Sequence, residues 1–143
     1  MKNHNDRQQE IRDIVRTMDV RTQRELVDIL NARGYKCTQA TVSRDINEIG
    51  LRKLPEGVYV LAEDLRMQRM VTDLVSGIDR SGNLVVIKSA PGSANTVAAA
   101  LDDAALPDVM GSIAGDDTIM VIGRSVEGAE AFERTINKLL SLK

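Results

Sequence analysis

Aromatic side chains are almost absent from this chain, which has no Trp, two Tyr and one Phe among 143 residues. Any core must therefore be built from Val, Ile, Leu, Ala and Met. Cysteine occurs once, at Cys37. That excludes a disulfide framework, and a cysteine-based metal site, within one chain. Histidine also occurs once, at His4, in an N-terminal stretch expected to be a mobile tail. No P-loop, nucleophile elbow or glycine-rich dinucleotide fingerprint is present, so an enzyme is not expected. No apolar run approaches the roughly 20 residues of a membrane-spanning helix. The stretch from Met1 to Asp6 lacks the apolar region of a secretory signal. A cytoplasmic protein with no membrane partner is expected.

Apolar residues make up 43% of the chain and charged residues 28%, an ordinary balance for a folded domain. The formal net charge is −2, which on its own counts against a nucleic-acid partner. Division after Glu63 changes this only a little. Residues 1–63 hold 11 Lys and Arg against 10 Asp and Glu, and residues 64–143 hold 8 against 11. A domain at +1 binds DNA only if its basic residues share one face, or if several copies act together.

The first 61 residues read as three helices and a hairpin. Ile11, Ile14, Val15 and Met18 recur at helical spacing. Thr22 with Glu25 forms a capping-box pattern ahead of Leu26, Val27 and Leu30, and Arg33-Gly34 closes that helix. Tyr35-Lys36-Cys37 form a turn, Thr38 caps a third helix and Gly50 ends it. Residues 51–54 and 58–61 read as strands around Pro55-Glu56-Gly57. The order is that of a winged helix–turn–helix. Residues 64–73 are charged and free of Gly and Pro, and read as a linker, in part helical.

Residues 74–143 alternate differently. Val75–Asp79 and Leu84–Lys88 read as strands, as do Val109–Gly115 and Thr118–Gly123. An Ala-rich helix runs to about Ala105, and a last helix, capped by Ser125, carries Phe132, Ile136, Leu139 and Leu140. The order β-β-α-β-β-α predicts an antiparallel sheet covered by helices, making the whole chain α+β. At roughly 70 residues a lone core is marginal, and oligomerisation would add buried apolar surface.

The third helix carries the most information. At 100° per residue, Val42, Ile46 and Ile49 face the domain body together with Asp45. Arg44 lies opposite, flanked by Ala40 and Asn47, with Thr41 and Ser43 at the edges and Gln39 in the first turn. Short polar side chains let a helix backbone approach a DNA groove, and one long arginine reaches a guanine edge. Arg44 suits guanine, Gln39 adenine, Ala40 a thymine methyl, and Thr41 and Ser43 phosphates or base edges. An amphipathic helix of any helical domain is the plainer alternative. Arg52 and Lys53 open the hairpin and suit phosphates or the minor groove, or else protect an exposed strand edge. Arg21 and Arg24 are phosphate candidates or ordinary surface charges.

A second segment stands out, Gly111-Ser112-Ile113-Ala114-Gly115-Asp116-Asp117-Thr118-Ile119. Adjacent carboxylates between apolar strands repel unless a cation joins them, and a guanidinium fork matches them well. The same pattern also fits a plain hairpin turn or a divalent metal site with Asp102 and Asp103 nearby. Pro91-Gly92-Ser93-Ala94-Asn95 before a helix fits an anion site or a simple loop-to-helix junction.

Together these segments resemble the bacterial arginine repressor family. The match is carried by Thr38–Asp45, Ala90–Asn95 and Gly111–Ile119, in both halves and in the family's order. The resemblance implies an N-terminal winged helix–turn–helix and a C-terminal domain that forms trimers and then hexamers. It implies L-arginine as co-effector between trimers, no metal, and palindromic operator DNA as partner. Ser43 and Arg44 then contact DNA, Asp116 and Asp117 hold the ligand, and Asn95, Ala98 and Asp102 add contacts. Ser112 stands where many members have Thr, and Asn95 where many have Gln. The implied function is arginine-dependent repression of arginine biosynthesis, or activation of catabolism. Alternatives are a regulator sensing another amino acid or metabolite, an amino-acid-binding enzyme or carrier, and an architectural partner of a DNA recombinase.

Overall fold

The computed structural model describes residues 3–143. Met1 and Lys2, which open the stretch read above as lacking a signal sequence, lie outside the described residues. The chain divides between Glu63 and Asp64 into two compact units.

The first unit holds three helices, α1 (His4–Thr17), α2 (Gln23–Ala32) and α3 (Gln39–Ile49), then strands β1 (Leu51–Lys53) and β2 (Tyr59–Leu61). Asn3 starts α1 with a reciprocal capping box to Asp6. His4 therefore lies in a helix and not in a mobile tail, because this box satisfies the first free amides. Thr22 caps α2 by accepting the Glu25 N–H at 3.0 Å. The other half of that box is missing, since the Glu25 carboxylate accepts from the Arg21 N–H instead. Thr38 caps α3, and Gly50 ends it in a left-handed conformation at φ +85°. Ile11, Ile14, Val15, Val20, Leu26, Leu30, Val42, Ile46 and Leu61 form one buried cluster. Met18, expected in the stripe of α1, is exposed, because the chain turns to extended backbone there. The strands pair antiparallel, with Leu51 opposite Leu61 and Lys53 opposite Tyr59.

The second unit opens with α4 (Leu65–Leu74), then β3 (Val75–Ser81), β4 (Leu84–Ser89), α5 (Ala94–Ala104), β5 (Val109–Ala114), β6 (Thr118–Gly123) and α6 (Val126–Leu140). The segment read as a linker is thus a helix, held by the buried side chains of Met67 and Val71. Four strands form an antiparallel sheet in the order β3-β4-β6-β5. Alternation puts Val85, Ile87, Ile119 and Val121 under the helices, where all four are buried. Val97, Leu101, Phe132, Ile136 and Leu139 pack over them from α5 and α6. The opposite face shows Leu84 beside Ile122, Val86 beside Met120 and Lys88 beside Thr118, with Ile113 beside Met120 on the other side. A register shift between Val109 and Gly111 interrupts β5, and Met110 there is exposed.

Candidate DNA interface and ligand site

Helix α3 presents two chemically different sides. Gln39, Ala40, Arg44 and Asn47 are exposed, while Thr41 and Ser43 are half-buried. Val42, Asp45 and Ile46 are buried behind them. Thr41 is tied to the cap by its N–H to Thr38 Oγ1 at 3.3 Å. Arg44, by contrast, is exposed with no ion pair inside the described protein, so its five donors remain free for a partner.

The wing is braced from the helix side. The Tyr59 N–H donates to the Val20 carbonyl at 2.9 Å. Arg21 Nη1 donates to the Glu56 carbonyl, at the wing tip, at 2.8 Å. Arg21 was one of the phosphate candidates, but here it fastens the wing. Arg52 is exposed, and the Lys53 ammonium lies 5.4 Å from the Tyr59 ring centre, a cation–π distance. Lys53 is thereby held out along the hairpin.

Behind α3, the Asp45 carboxylate is 1% exposed and takes a fork from Arg7, Nε to Oδ2 at 2.5 Å and Nη2 to Oδ1 at 3.1 Å. Burial alone would raise its pKa. The hydrogen bonds from Arg7 and Gln8, with the Arg7 charge, outweigh that and hold it below the ordinary carboxylate value. His4, Asp45 and Glu48 bring ligand atoms within 4.8 Å of one another, the one such metal-sized group among the described residues. The Arg7 fork already supplies the cation there. Cys37 is half-buried, and burial pushes its thiol up, away from a reactive thiolate.

In the second unit the fold joins the two motifs singled out there. The Asp116 carbonyl accepts from the Ala94 N–H at 3.1 Å, and the Asp117 carbonyl from the Ser89 N–H at 2.8 Å. The Gly92 N–H donates to Asp116 Oδ2 at 3.3 Å. The 115–117 turn is thus stitched to the start of α5. Asp116 and Asp117 are both exposed. Thr118 Oγ1 donates to Asp117 Oδ1 at 2.9 Å and accepts from Lys88 Nζ at 2.8 Å. Lys88 and Thr118 were not anticipated, because only the strand register places them together. Asn95, Ala98 and Asp102 share a stripe of α5, with Asn95 and Asp102 exposed and Ala98 buried. About 10 Å of helix axis separates Asn95 from Asp102, so within one protomer only the first turn adjoins the Asp pair. Ser112 is half-buried opposite Val121, on the helix side of the sheet. A depression of about 530 Å³ lies on the open sheet face, against Leu84, Val86, Lys88 and Met120. Of these, Lys88 bonds to Thr118, the residue that follows the turn.

A braced wing and an outward-facing, unencumbered helix define a DNA-binding protein of the winged helix–turn–helix class. Comparison with known proteins agrees. Residues 2–67 match the family description "Arginine repressor, DNA binding domain", and residues 71–138 match "Arginine repressor, C-terminal domain". The chain is 45% identical to the arginine repressor of Carboxydothermus hydrogenoformans, over 85% of this chain and 88% of that protein. It is 42% identical to that of Thermus thermophilus, over 98% and 92%, and 41% identical to that of Shouchella clausii, over 96% and 99%. The chain belongs to the arginine repressor family. This is a family of DNA-binding transcriptional regulators, not of enzymes.

Proposed function

We propose that this chain represses transcription in response to L-arginine, binding palindromic operator DNA as a hexamer of two trimers. Residues 1–63 form the DNA-binding head, and residues 74–143, with α4, the arginine-binding and oligomerisation domain. Gln39, Ala40, Thr41, Ser43 and Arg44 read the major groove, and Arg52 and Lys53 hold the flanking backbone. Asn95, Ala98, Asp102, Ser112, Asp116 and Asp117 form the arginine site.

The observation that carries this reading is the Asp116–Asp117 turn, stitched to the start of α5 with both carboxylates exposed. Two exposed carboxylates at one turn suit a guanidinium. The naming of the relatives as arginine repressors fits that ligand. The apolar sheet face supports assembly, since contiguous exposed apolar surface marks an interaction site. A head near neutral charge binds DNA weakly alone, and linking several heads raises their effective concentration. Arginine acts by favouring the assembly that engages the operator.

The test is mobility shift on a palindromic operator, with particle mass measured in parallel, at zero and millimolar L-arginine. L-lysine and L-citrulline serve as controls. Arginine alone should tighten binding, and Asp117→Ala should abolish that response while weak DNA binding persists. If L-arginine changes neither readout, the ligand assignment fails.

A further inference from the structure

The rear of α3 carries more chemistry than a helix needs merely to stay folded. His4, Gln8 and Arg7 lie on one side of α1, at relative positions 0, +4 and +3. They meet Asp45 and Glu48, one turn apart on α3. Arg7 grips both oxygens of Asp45. Gln8 Nε2 donates to Asp45 Oδ1 at 3.3 Å and to Glu48 Oε2 at 2.6 Å. His4 Nε2 lies 3.0 Å from Glu48 Oε2. The apolar anchors of α3 are Val42 and Ile46, both buried, and the half-buried Ile49. Apolar contact is non-directional and allows a short helix to roll. A bidentate guanidinium–carboxylate pair is directional and does not.

Arg44 is the neighbour of Asp45, so the azimuth of Asp45 sets that of Arg44. A roll of about 20° moves a group at about 6 Å from the helix axis by about 2 Å. Hydrogen bonds to a base edge do not survive such a shift.

We propose that Arg7 and Asp45 are positioning residues for DNA recognition, fixing the roll of α3 so that Arg44 meets its base. The proposal rests on the reading of α3 as the recognition helix, and concerns residues that do not themselves touch DNA.

The test uses the full chain at millimolar L-arginine and fixed salt. One duplex is that which the wild-type protein selects from a random pool, and the other is a scrambled duplex of equal length. The double variant Arg7→Met/Asp45→Leu removes both charges and keeps the branched shape of the Asp45 side chain, an exchange that buried pairs commonly tolerate. Its thermal midpoint should match the wild type. Affinity for the selected duplex should fall about tenfold or more, the order of discrimination one bidentate base contact carries. Affinity for the scrambled duplex should stay within about twofold, because phosphate contacts set it. Arg7→Lys keeps the charge but loses the fork. It should show the same split in smaller degree, and it decides the matter if the double variant does not fold.

A folded variant with wild-type discrimination overturns the proposal, as does an equal loss on both duplexes. Arg44→Ala separates the two levels. If it loses discrimination while the Arg7 variants keep it, the positioning role fails and the recognition helix stands. If Arg44→Ala binds the selected duplex normally, the helix reading fails and the proposal falls with it.

Discussion

Met120 stands on β6, on the open side of the sheet, between Val86 and Ile113. Replacing it with Glu tests whether that face is covered by further copies of the chain. Leu84, Ile113 and Met120 leave 39, 69 and 42% of their surface open. That is equivalent to about one and a half whole apolar side chains. Full burial of one is worth about 1.5–3 kcal/mol, so covering the face yields roughly 2–4.5 kcal/mol per protomer. A Glu at this position forfeits the share of Met120, about 1 kcal/mol. Its carboxylate must also be desolvated, at several kcal/mol, and the penalty recurs in every copy around the assembly. The sum equals or exceeds the gain. Sedimentation velocity across a concentration series should therefore show Met120→Glu as monomer where the wild type is an oligomer. Far-ultraviolet circular dichroism should be unchanged, because the side chain points away from the helix layer. Met18→Glu, the same chemical change at an exposed position of the other unit, should keep the wild-type mass. If Met120→Glu also keeps the wild-type mass, no second copy covers this face.

Two other outcomes follow from the first unit. Gly50→Ala places a side chain at φ +85°, where the new Cβ makes only an ordinary 3.6 Å contact with Ala62. The cost is thus backbone strain of about 1–2 kcal/mol, seen as a fall of roughly 5–15 °C in the melting of that unit. An unchanged midpoint would contradict the left-handed turn between α3 and the wing. The folded protein holds the Asp45 carboxyl below its ordinary value. Its stabilisation is therefore full above about pH 4 and is lost as pH falls through the depressed folded value. Acid titration of the melting midpoint between pH 6 and 2 should be steeper for wild type than for Arg7→Met/Asp45→Leu, and equal slopes would count against the pair.

Local signals in the sequence reached far in the first unit. Thr38, the spacing of Val42 and Ile46, and Gly50 locate α3 and its two sides, and place Asp45 inward. The partner itself was not legible. Arg7 lies 38 positions away, and nothing in its own neighbourhood distinguishes it from a surface arginine. Arg21 shows the same limit, since its bond to the Glu56 carbonyl depends on where the hairpin returns. In the sequence His4 looks like part of a tail, because a capping box built from Asn3 and Asp6 is short and offers no apolar run. In the second unit, Met67 and Val71 stand at i and i+4 within a charged stretch. With Met70 and Leu74 they make the i, i+3, i+4, i+7 pattern of a packed helix, and the charged residues between them masked it. The four strands were legible from their β-branched runs. Their order was not, because placing β6 between β4 and β5 depends on the crossover made by α5. That order in turn brings Lys88 to Thr118 and stitches the Asp turn to α5.

The free front of α3 has a consequence for how this protein changes over time. Gln39, Ala40, Arg44 and Asn47 stand exposed, with no side-chain hydrogen bond or ion pair to another described residue. On the proposed reading of α3, exchanging them would alter what is read at little expense to folding, since exposed substitutions away from caps and buried networks usually move stability by about 0.5 kcal/mol or less. The helix is in that sense a replaceable cassette. Lineages would then drift to new target sequences through its outer residues, and an engineer would do the same by randomising four positions while every core residue is left alone.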